Sequence, residues 1–487
     1  MFDWWNNLWT RLRAPTARRP LPLLRGRYDA AVTSDANRRH WAAADDLSAD
    51  AAASPEVRRI LRNRARYEIA NNSYARGIVL TLANEVIGTG PRLQLLTPDE
   101  RANRQVERLF YEWTQAVNLA EKLRTMRVAR IEDGEGFALL TNNPLLSTPV
   151  SLDLRLVEAD QVTTPDLSFA PRRNSVDGIL FDRHGNPVEY HILREHPGDL
   201  VLSLSQAPER VPAEAVIHFY RRDRPGQSRG IPEITPALPL FAQLRRFTLA
   251  VLGAAETAAD FAGILYTDAP AGGEAETIEA MDAIELEARA LLTMPGGWKM
   301  GQMRAEQPST TYAEFKREVL NEIVRCLCMP YNIAAGTSTG LNYASGRLDH
   351  QTFARFVRVD QACLSRVVLD RIFQAWMHEA VLIDGLLPPS LRLFDSYFPH
   401  QWFFDGNEHV DPAKEANAQA TRLANYTTTL ADEYARRGQD WQTQLEQRAK
   451  EKHLMRTLGL TEAESLPAPD EDDEADDDAE ESVRQAA

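Results

Sequence analysis

Three long helical patterns between Gly230 and Asp384 constrain this fold more than any other feature. Helical periodicity covers residues 236–260, 311–329 and 347–383. At ~1.5 Å per residue, the first helix would be ~37 Å long and the third ~55 Å. Both lengths exceed the three or four turns of an average helix. Such helices usually pack against copies of themselves or span something, so the pattern predicts an assembly.

The composition predicts several domains without covalent cross-links. A chain of 487 residues, 44% hydrophobic and 26% charged, can form roughly two to four domains with ordinary cores. Its three cysteines, Cys326, Cys328 and Cys363, are too few for a disulfide framework, which indicates a reducing compartment. No apolar run reaches the ~18 residues of a membrane span. We therefore expect no membrane contact from the body of the chain.

The net charge of −15 is unevenly distributed along the chain. Residues 467–487 carry a net charge of −9 and residues 1–27 carry +5, which leaves −11 for the remainder. An acidic body does not hold nucleic acid by counterion release, because that requires lysine and arginine. Any contact with DNA should therefore be weak or local. The acidic tail is expected to be disordered.

The first half of the chain predicts an α+β domain that is mainly helical. Helical patterns cover 55–87, which ends at a Gly88-Thr89-Gly90-Pro91 stop, and 101–130. Strand patterns follow at 152–156, in a hairpin at 178–193 around His184-Gly185-Asn186-Pro187, and at 214–220. Beyond the long helices, 391–404 reads as strand and 412–457 as helix.

Residues 2–12 form an amphipathic helical pattern with Trp5 and Trp9 on its apolar side. One interpretation is a membrane-surface or targeting helix, which would make the protein a membrane-associated scaffold. The other is an arm that docks its aromatic side chains on a neighbouring subunit.

The first long helix has a face of small residues that includes Gly253, Ala254 and Ala258. Small side chains let helix backbones approach closely, so this face is predicted to meet other helices. The alternative is the ordinary helix propensity of alanine. The insert at 261–308 carries strand candidates at 264–266 and 298–303, so it leaves one helix and returns on another. Between its strands lie acidic residues that form a partner-docking surface or merely a solvated helix face: Glu274, Glu276, Glu279, Asp282 and Glu285.

The run Gly336-Thr337-Ser338-Thr339-Gly340 matches the GxSxG pattern of serine hydrolases. A nucleophile elbow needs a buried strand before the serine, whereas a helix precedes this one. His378, His400 or His409 could supply a base, but no alternation of strands and helices surrounds them. The pattern therefore favours a flexible glycine-hinged loop, with hydrolysis by Ser338 as the rival hypothesis.

Two further motifs are interpreted as structural. Cys326 and Cys328 would point ~200° apart on a helix, so they cannot readily share a zinc ion, and we expect no metal site. Glu135, between Gly134 and Gly136, can accept backbone N–H bonds and fix a turn, but it has no catalytic partner at a readable spacing. No Walker A motif is present. We expect neither a cofactor nor a catalytic residue.

Several short motifs occur in a fixed order along residues 28–460. They are Arg27-Tyr28-Asp29-Ala30-Ala31, Leu61-Arg62-Asn63-Arg64-Ala65-Arg66, Val86-Ile87-Gly88-Thr89-Gly90, Asp133-Gly134-Glu135-Gly136-Phe137, Val157-Glu158-Ala159-Asp160-Gln161-Val162, Arg224-Pro225-Gly226-Gln227-Ser228-Arg229-Gly230-Ile231-Pro232, Trp402, Asp411-Pro412-x-Lys414-Glu415 and Arg437-Gly438-x-Asp440-Trp441. In this order they resemble the portal proteins of lambda-like tailed phages. The family's Gly-Leu pair is replaced here by Asn425-Tyr426-Thr427-Thr428, which leaves the helix break at this point open.

The resemblance implies a ring, normally a dodecamer, at one capsid vertex, with double-stranded DNA passing through its central hole. It also implies a division into wing, stem, clip and crown. The expected segments are an N-terminal arm (1–27), wing (28–232), stem helix (233–260), clip (261–308), stem helix (309–330), candidate tunnel loop (331–346), second wing part (347–410), crown (411–460) and acidic tail (461–487).

The same resemblance implies the partners of each segment. The clip, including Trp298, would face the terminase large subunit and later the head–tail adaptor, while the ring would also meet the major capsid and scaffold proteins. The candidate channel residues in and beside the loop are Thr337, Ser338, Thr339, Asn342, Tyr343 and Arg347. The expected location is the virion, after assembly in the host cytoplasm.

Overall fold

The structure is a computed structural model. It describes residues 34–35, 37–164, 174–199, 207–260, 264–267, 298–301, 312–340, 342–393, 398–406, 412–435 and 437–460. The chain divides into a small unit, residues 1–52, and a large unit, residues 53–487. Within the first unit, one short helix is described, α1 (Ala49–Ala52). The predicted N-terminal arm and the acidic tail lie outside the described residues.

Four helices open the large unit: α2 (Pro55–Asn71), α3 (Ser73–Ile87), α4 (Glu100–Ala116) and α5 (Leu119–Glu132). Each long pattern of the first half is therefore a pair of helices. Asn72 separates the first pair because its side chain accepts hydrogen bonds from the backbone N–H groups of Tyr74 and Ala75, which starts a new helix. Asn118 separates the second pair in a left-handed conformation, with φ of 52°.

The strands form small antiparallel sheets beside these helices. The strands are β1 (Arg92–Leu95), β2 (Glu135–Asn142), β3 (Leu152–Val157), β4 (Ser175–Val176), β5 (Ile179–Phe181), β6 (Pro187–Ile192), β7 (Glu209–Pro212), β8 (Val216–Tyr220), β9 (Ile264–Thr267), β10 (Trp298–Gly301) and β11 (His400–Phe403). The sheet orders are β3-β2-β8, β4-β5-β6-β7, β1-β11 and β10-β9. The predicted hairpin is the β5–β6 pair, and its turn is held by Asp182 Oδ1, which accepts the backbone N–H groups of His184 and Asn186.

The three long helical patterns form α6 (Leu238–Asp260), α7 (Tyr312–Arg325), α9 (Tyr343–Leu364) and α10 (Asp370–Leu382), and the loop between the second and third contains the short helix α8 (Tyr331–Ala335). The second pattern ends earlier than predicted because the chain turns at Cys328, whose φ is 54°. The insert after α6 has β9 and β10 paired antiparallel, with Ile264 opposite Gly301. The chain therefore leaves α6 and returns toward α7 on neighbouring strands, as the sequence predicts.

A π-helical turn, Ser365–Leu369, joins α9 to α10. Its cause is visible in the spacing of the core residues. Buried side chains recur every four residues through this region: Leu364, Val368, Ile372, Trp376 and Ala380. An α-helix repeats every 3.6 residues, so a four-residue spacing drifts by ~40° per turn. The π-turn contains an extra residue, and it rotates the following residues back toward the core.

The C-terminal region forms α11 (Pro412–Ala424), α12 (Leu430–Ala435) and α13 (Trp441–Thr457). The helix break after α11 is present even without a glycine, because Tyr426 takes a φ of 55°. Before α13, Gly438 lies so close to β11 that an added Cβ would meet the carbonyl oxygen of Phe404 at 2.5 Å. Within the described residues, no helix is both long and apolar enough to cross a bilayer.

Candidate functional site

A buried carboxylate, Glu135 at the start of β2, anchors the segment that leads into α6. Its oxygens accept hydrogen bonds from Arg229 at 2.7 and 2.9 Å and from the backbone N–H of Gly230 at 3.0 Å. His218 on β8 contributes Nε2 at 3.0 Å. The prediction that Glu135 accepts a backbone N–H is confirmed, but its donor lies 95 residues further along the chain.

The charge of Glu135 is balanced by ion pairing. Burial alone would raise the pKa of Glu135, but the charge of Arg229 and the hydrogen bonds from His218 and Arg229 lower it well below its ordinary value. Burial also lowers the pKa of His218. Since Tyr190 Oη lies 3.4 Å from its Nδ1, the neutral ring can donate from Nε2 to Glu135. The carboxylate is therefore ionised at neutral pH.

Backbone contact at the same place leaves no room for side chains. An added Cβ at Gly134 would lie 2.4 Å from the carbonyl carbon of Ile231, and one at Gly230 would lie 2.0 Å from the carbonyl oxygen of Gly134. Gly134 also has a φ of 91°. Glycine is required at both positions because the two backbones touch.

A second buried cluster ties this segment to α5 and α9. Arg127 donates to Asp360 at 2.7 Å and to Glu233 at 3.0 Å, and Arg130 bonds the same two carboxylates at 2.7 and 2.9 Å. Burial would raise the pKa of Glu233, but the charges of Arg127 and Arg130 lower it. The four side chains are at most 4% exposed, so each charge depends on its partners.

Together the two clusters fix the base of α6. They hold residues 229–233 against β2 and α5 by ionic hydrogen bonds whose participants are 94 to 106 residues apart. Arg127 and Arg130 extend the second cluster to Asp360 on α9. The second cluster was not predicted from the sequence. Its signal was present, since Arg127 and Arg130 lie on the apolar face of α5 with Leu123, Met126 and Ile131. Buried arginines need buried carboxylates, but the sequence alone does not show which.

Helices α6 and α7 pack together but leave apolar side chains exposed on each. Phe247 stacks on Tyr312 at 5.8 Å and meets Phe315 edge-on at 4.9 Å. In contrast, Leu249 is 60% exposed, Leu252 54% and Phe315 50%. Of the small residues predicted to meet other helices, Gly253 is half-buried and Ala254 exposed, and an added Cβ at Gly253 would touch nothing within 4 Å. The side chain of Ala258 lies outside the described set.

The predicted loop contains the short helix α8, which ends at Gly336 with a φ of 63°. Ser338 and Thr339 are exposed, while the hydroxyls of Thr337 and Thr339 lie 2.9 Å apart. Asn342 starts α9 by accepting the backbone N–H of Ser345 at 2.8 Å, and Arg347 is exposed on the first turns. Tyr343 begins α9, but its side chain is outside the described set.

The geometry around Ser338 does not match a nucleophile elbow. Helix α8, not a strand, precedes the serine by two residues. Of the candidate bases, His400 bonds Asp370 at 3.1 Å beside β11 and His378 is exposed on α10, whereas His409 lies outside the described residues. The loop thus lacks the strand–serine–helix order that a hydrolase of this type uses.

The cysteines and one cluster of charged side chains contain residue types that can bind metal ions. Cys326 is partly buried, and burial raises the pKa of its thiol to about 11, while Cys328 is exposed. Glu158, Asp160 and His196 lie within 4.8 Å of one another, but Arg66 Nη2 lies 2.8 Å from Asp160 and 3.4 Å from Glu158. That guanidinium supplies the positive charge that a metal ion would supply.

The predicted docking residues of the insert fall mostly outside the described part of the chain. This applies to Glu274, Glu276, Glu279, Asp282 and Glu285. Trp298 starts β10 opposite Thr267, and nothing is described of its side chain.

Comparison with known proteins adds curated relatives and solved structures. A probable portal protein of Halomonas phage phiHAP-1 is 26% identical over 426 residues, which covers 82% of this chain and 81% of the relative. Portal protein B of Escherichia phage lambda is 22% identical and covers 85% and 87%. Among solved structures, a chain from the neck of an empty gene transfer agent particle has a TM-score of 0.48 at 13% identity and covers 73% of this chain and 86% of that one.

The family described as "Phage portal protein, lambda family" matches residues 35–361, about two thirds of the sequence. That range includes both ionic clusters, the long helices α6 and α7, and most of α9. The chain therefore belongs to the lambda family of phage portal proteins.

Proposed function

We propose that twelve copies of this chain form a ring at one vertex of the capsid, through which double-stranded DNA is packaged and later ejected. The observation that carries the ring is the exposed apolar side chains of α6 and α7: Leu249, Leu252 and Phe315 are each at least half exposed. Long helices with such a face favour packing against neighbouring copies. A ring uses two different complementary faces on each subunit.

We propose the following division of the chain. The wing comprises 28–232 and 347–410, the stem helices 233–260 and 309–330, the clip 261–308 and the crown 411–460. Support comes from the paired β9 and β10, which make the insert a projection between two stem helices. Further support comes from the ionic clusters, which join the base of α6 to both proposed wing segments through Arg127 and Asp360.

The loop at 331–346 is proposed as the tunnel loop that narrows the channel. Thr337, Ser338, Thr339, Asn342, Tyr343 and Arg347 are its candidate DNA-facing residues. DNA must slide past without a fixed register, and strong pairing with phosphates would slow it. Exposed hydroxyl and amide groups with a single arginine suit such a surface, and the acidic body supports the same interpretation.

The clip is the proposed docking surface for the terminase large subunit and then the head–tail adaptor. Its acidic residues Glu274, Glu276, Glu279, Asp282 and Glu285, with Trp298, would meet basic elements of those partners. The ring would also contact major capsid and scaffold proteins. The proposed location is the virion vertex, after assembly in the host cytoplasm, and the proposed role is mechanical rather than catalytic.

Electron microscopy of the purified protein tests this function. We expect ring-shaped particles with a central hole. The number of subunits in each ring tests whether the ring is a dodecamer. A protein that stays monomeric at micromolar concentrations in low and high salt would contradict the proposal. A Ser338→Ala variant is a suitable control, since we expect it to form the same rings. If the wild type hydrolysed esters and this variant did not, the serine hydrolase hypothesis would be favoured instead.

A further inference from the structure

One exposed face of α9 is basic and apolar along its whole length. Arg355 and Arg358 lie there with Leu348, Val359 and Ala362. Leu348 is 64% exposed and Val359 70%, while the opposite side of the helix is buried through Phe353, Val357, Asp360 and Leu364. Among the described residues, no carboxylate pairs with Arg355 or Arg358. We call this face the basic stripe.

A second exposed face, on α7, is mainly acidic and partly apolar, and its one cation on this side is the exposed Arg325 at the end of the helix. Glu314, Glu318 and Glu322 follow one another at four-residue spacing beside Phe315, which is 50% exposed. Positions four residues apart on a helix lie on one side of it, ~6 Å apart along the axis. Within the described chain, Glu318 pairs with its sequence neighbour Arg317 at 3.2 Å, and no ion pair involves Glu314 or Glu322. We call this face the acidic stripe.

We infer that the basic stripe of one subunit packs against the acidic stripe of the next subunit in the ring. The inference rests on the proposed ring and identifies two surfaces that would close it. The stripes have opposite charge, and both carry exposed apolar side chains. They are also different surfaces of one chain, which is what a head-to-tail interface requires. Leu348 and Val359 would be covered by apolar groups such as Phe315, with the charged groups at the edges.

A DNA-facing role suits the basic stripe less well. Phosphates are bound by arginine and polar groups, whereas the side chains of Leu348, Val359 and Ala362 have no hydrogen-bond donor for a phosphate. Arginines along several turns would also hold DNA in place rather than let it slide. Arg347, beside the loop, remains the DNA candidate on this helix.

Charge reversal of each stripe tests the pairing. The variants are Arg355→Glu with Arg358→Glu, Glu314→Arg with Glu318→Arg and Glu322→Arg, and one chain that carries all five changes. Ring fractions are measured by mass photometry at one concentration and at physiological salt. We expect reversal of either stripe to lower the ring fraction at least tenfold. The chain with all five substitutions should recover most of the ring fraction, because its two stripes again have opposite charges. Arg108→Glu, on α4 with a side chain that is 71% exposed, is the matched control and should form rings normally.

Other results of the charge reversals would contradict either the pairing of the stripes or the ring itself. If the wild type forms rings and the reversed variants do so equally well, the pairing is wrong while the proposed ring stands. Loss of rings in both variants without recovery in the combined chain also overturns the pairing. Normal rings that retain DNA less well after Arg355→Glu and Arg358→Glu would assign the basic stripe to DNA. A wild type that never forms rings would contradict the proposed function itself.

Cysteine cross-linking provides a test that does not depend on charge-reversed chains folding. Glu318→Cys and Arg358→Cys are introduced together, and the assembled protein is oxidised. We expect a ladder of covalent oligomers on a non-reducing gel with the double variant, and not with either single variant, which controls for Cys326, Cys328 and Cys363. Absence of the ladder from intact rings of the double variant would overturn the inference.

Discussion

The base of α6 and the free faces of α6 and α7 solve opposite problems. At the base, residues 229–233 are held by buried charges that are all paired, including Arg229, Glu135 and Glu233. Along the helices, apolar side chains such as Leu249 and Leu252 remain more than half exposed. In a self-contained protein we would expect the reverse, with charges outside and leucines inside.

This difference separates what the single chain must fix from what a neighbour must supply. Breaking a buried ion pair leaves an uncompensated charge in a place of low polarity. Removing an exposed leucine from an isolated chain changes little. The base should therefore determine the stability of each subunit, while the free faces should determine assembly.

The largest expected effect follows from removing the carboxylate at the base. Glu135→Leu leaves the fully buried Arg229 with Asp177, at 3.2 Å, as its remaining carboxylate. We therefore expect a loss of about 3–5 kcal/mol in the free energy of unfolding. Glu446→Leu is a matched control, because Glu446 pairs with Arg104 at the surface and both are about half exposed. That control should cost at most about 1 kcal/mol. Urea unfolding followed by circular dichroism measures both, and equal losses would remove the contrast between buried and exposed pairs.

Acid should weaken the same base in two separate pH ranges. The pKa of His218 is lowered in the folded chain, so the unfolded chain binds more protons below its own pKa of about 6.5. Stability therefore falls as the pH drops through that value, by at most about 1.4 kcal/mol per pH unit. The lowered pKa of Glu135 adds a second loss below about pH 4.5, where the unfolded carboxyl is protonated first.

His218→Gln sharpens this prediction because glutamine keeps a donor for Glu135 but does not titrate. The free energy of unfolding, measured between pH 7.5 and 5.5, should fall less steeply in the variant than in the wild type. An unchanged slope would mean that His218 takes up its proton over the same pH range in the folded and unfolded chains, and would contradict the prediction.

The smallest effect on the isolated subunit is expected at the free face. Leu252→Ala should change the free energy of unfolding of the monomer by no more than about 0.5 kcal/mol, yet it should lower the ring fraction. Leu320→Ala, on the buried side of α7, should cost about 2–5 kcal/mol. Denaturant unfolding and mass photometry on the same samples separate the two effects. If Leu252→Ala destabilised the monomer as much as Leu320→Ala, the face would be part of the core.

The sequence predicted helices and turns better than it predicted ionic partners. Periodicity located α6, the hairpin of β5 and β6, and the strands at the base of the insert, since all depend on neighbours close in sequence. The breaks at Asn72 and Asn118 were missed because one side chain, or one left-handed residue, interrupts an otherwise continuous pattern. Glu135 was predicted from the glycines beside it to accept backbone N–H bonds and fix a turn. It accepts one such bond, but from Gly230, so it joins two distant segments.

The partners of Glu135 and of Arg127 could not be read from the sequence. Arg229 lies 94 residues from Glu135, and Asp360 lies 233 residues from Arg127. Nothing local distinguishes Asp360 from exposed acids on neighbouring helices. Only the folded chain, which brings α5, α9 and the entry to α6 together, decides which charges are neutralised.

The π-turn at Ser365–Leu369 has a consequence for the whole rod formed by α9 and α10. A regular α-helix of this sequence would present Trp376 and Ala380 on nearly the same side as Arg355 and Ala362. The buried pair, Trp376 and Ala380, would then face solvent, or the exposed pair, Arg355 and Ala362, would face the core. The additional residue uncouples the two halves. In α9, Arg355 and Arg358 are exposed to solvent, while in α10 Trp376 is buried in the core, although the backbone between the two helices is continuous. Shortening this turn by one residue would therefore turn one half relative to the other without shortening either helix.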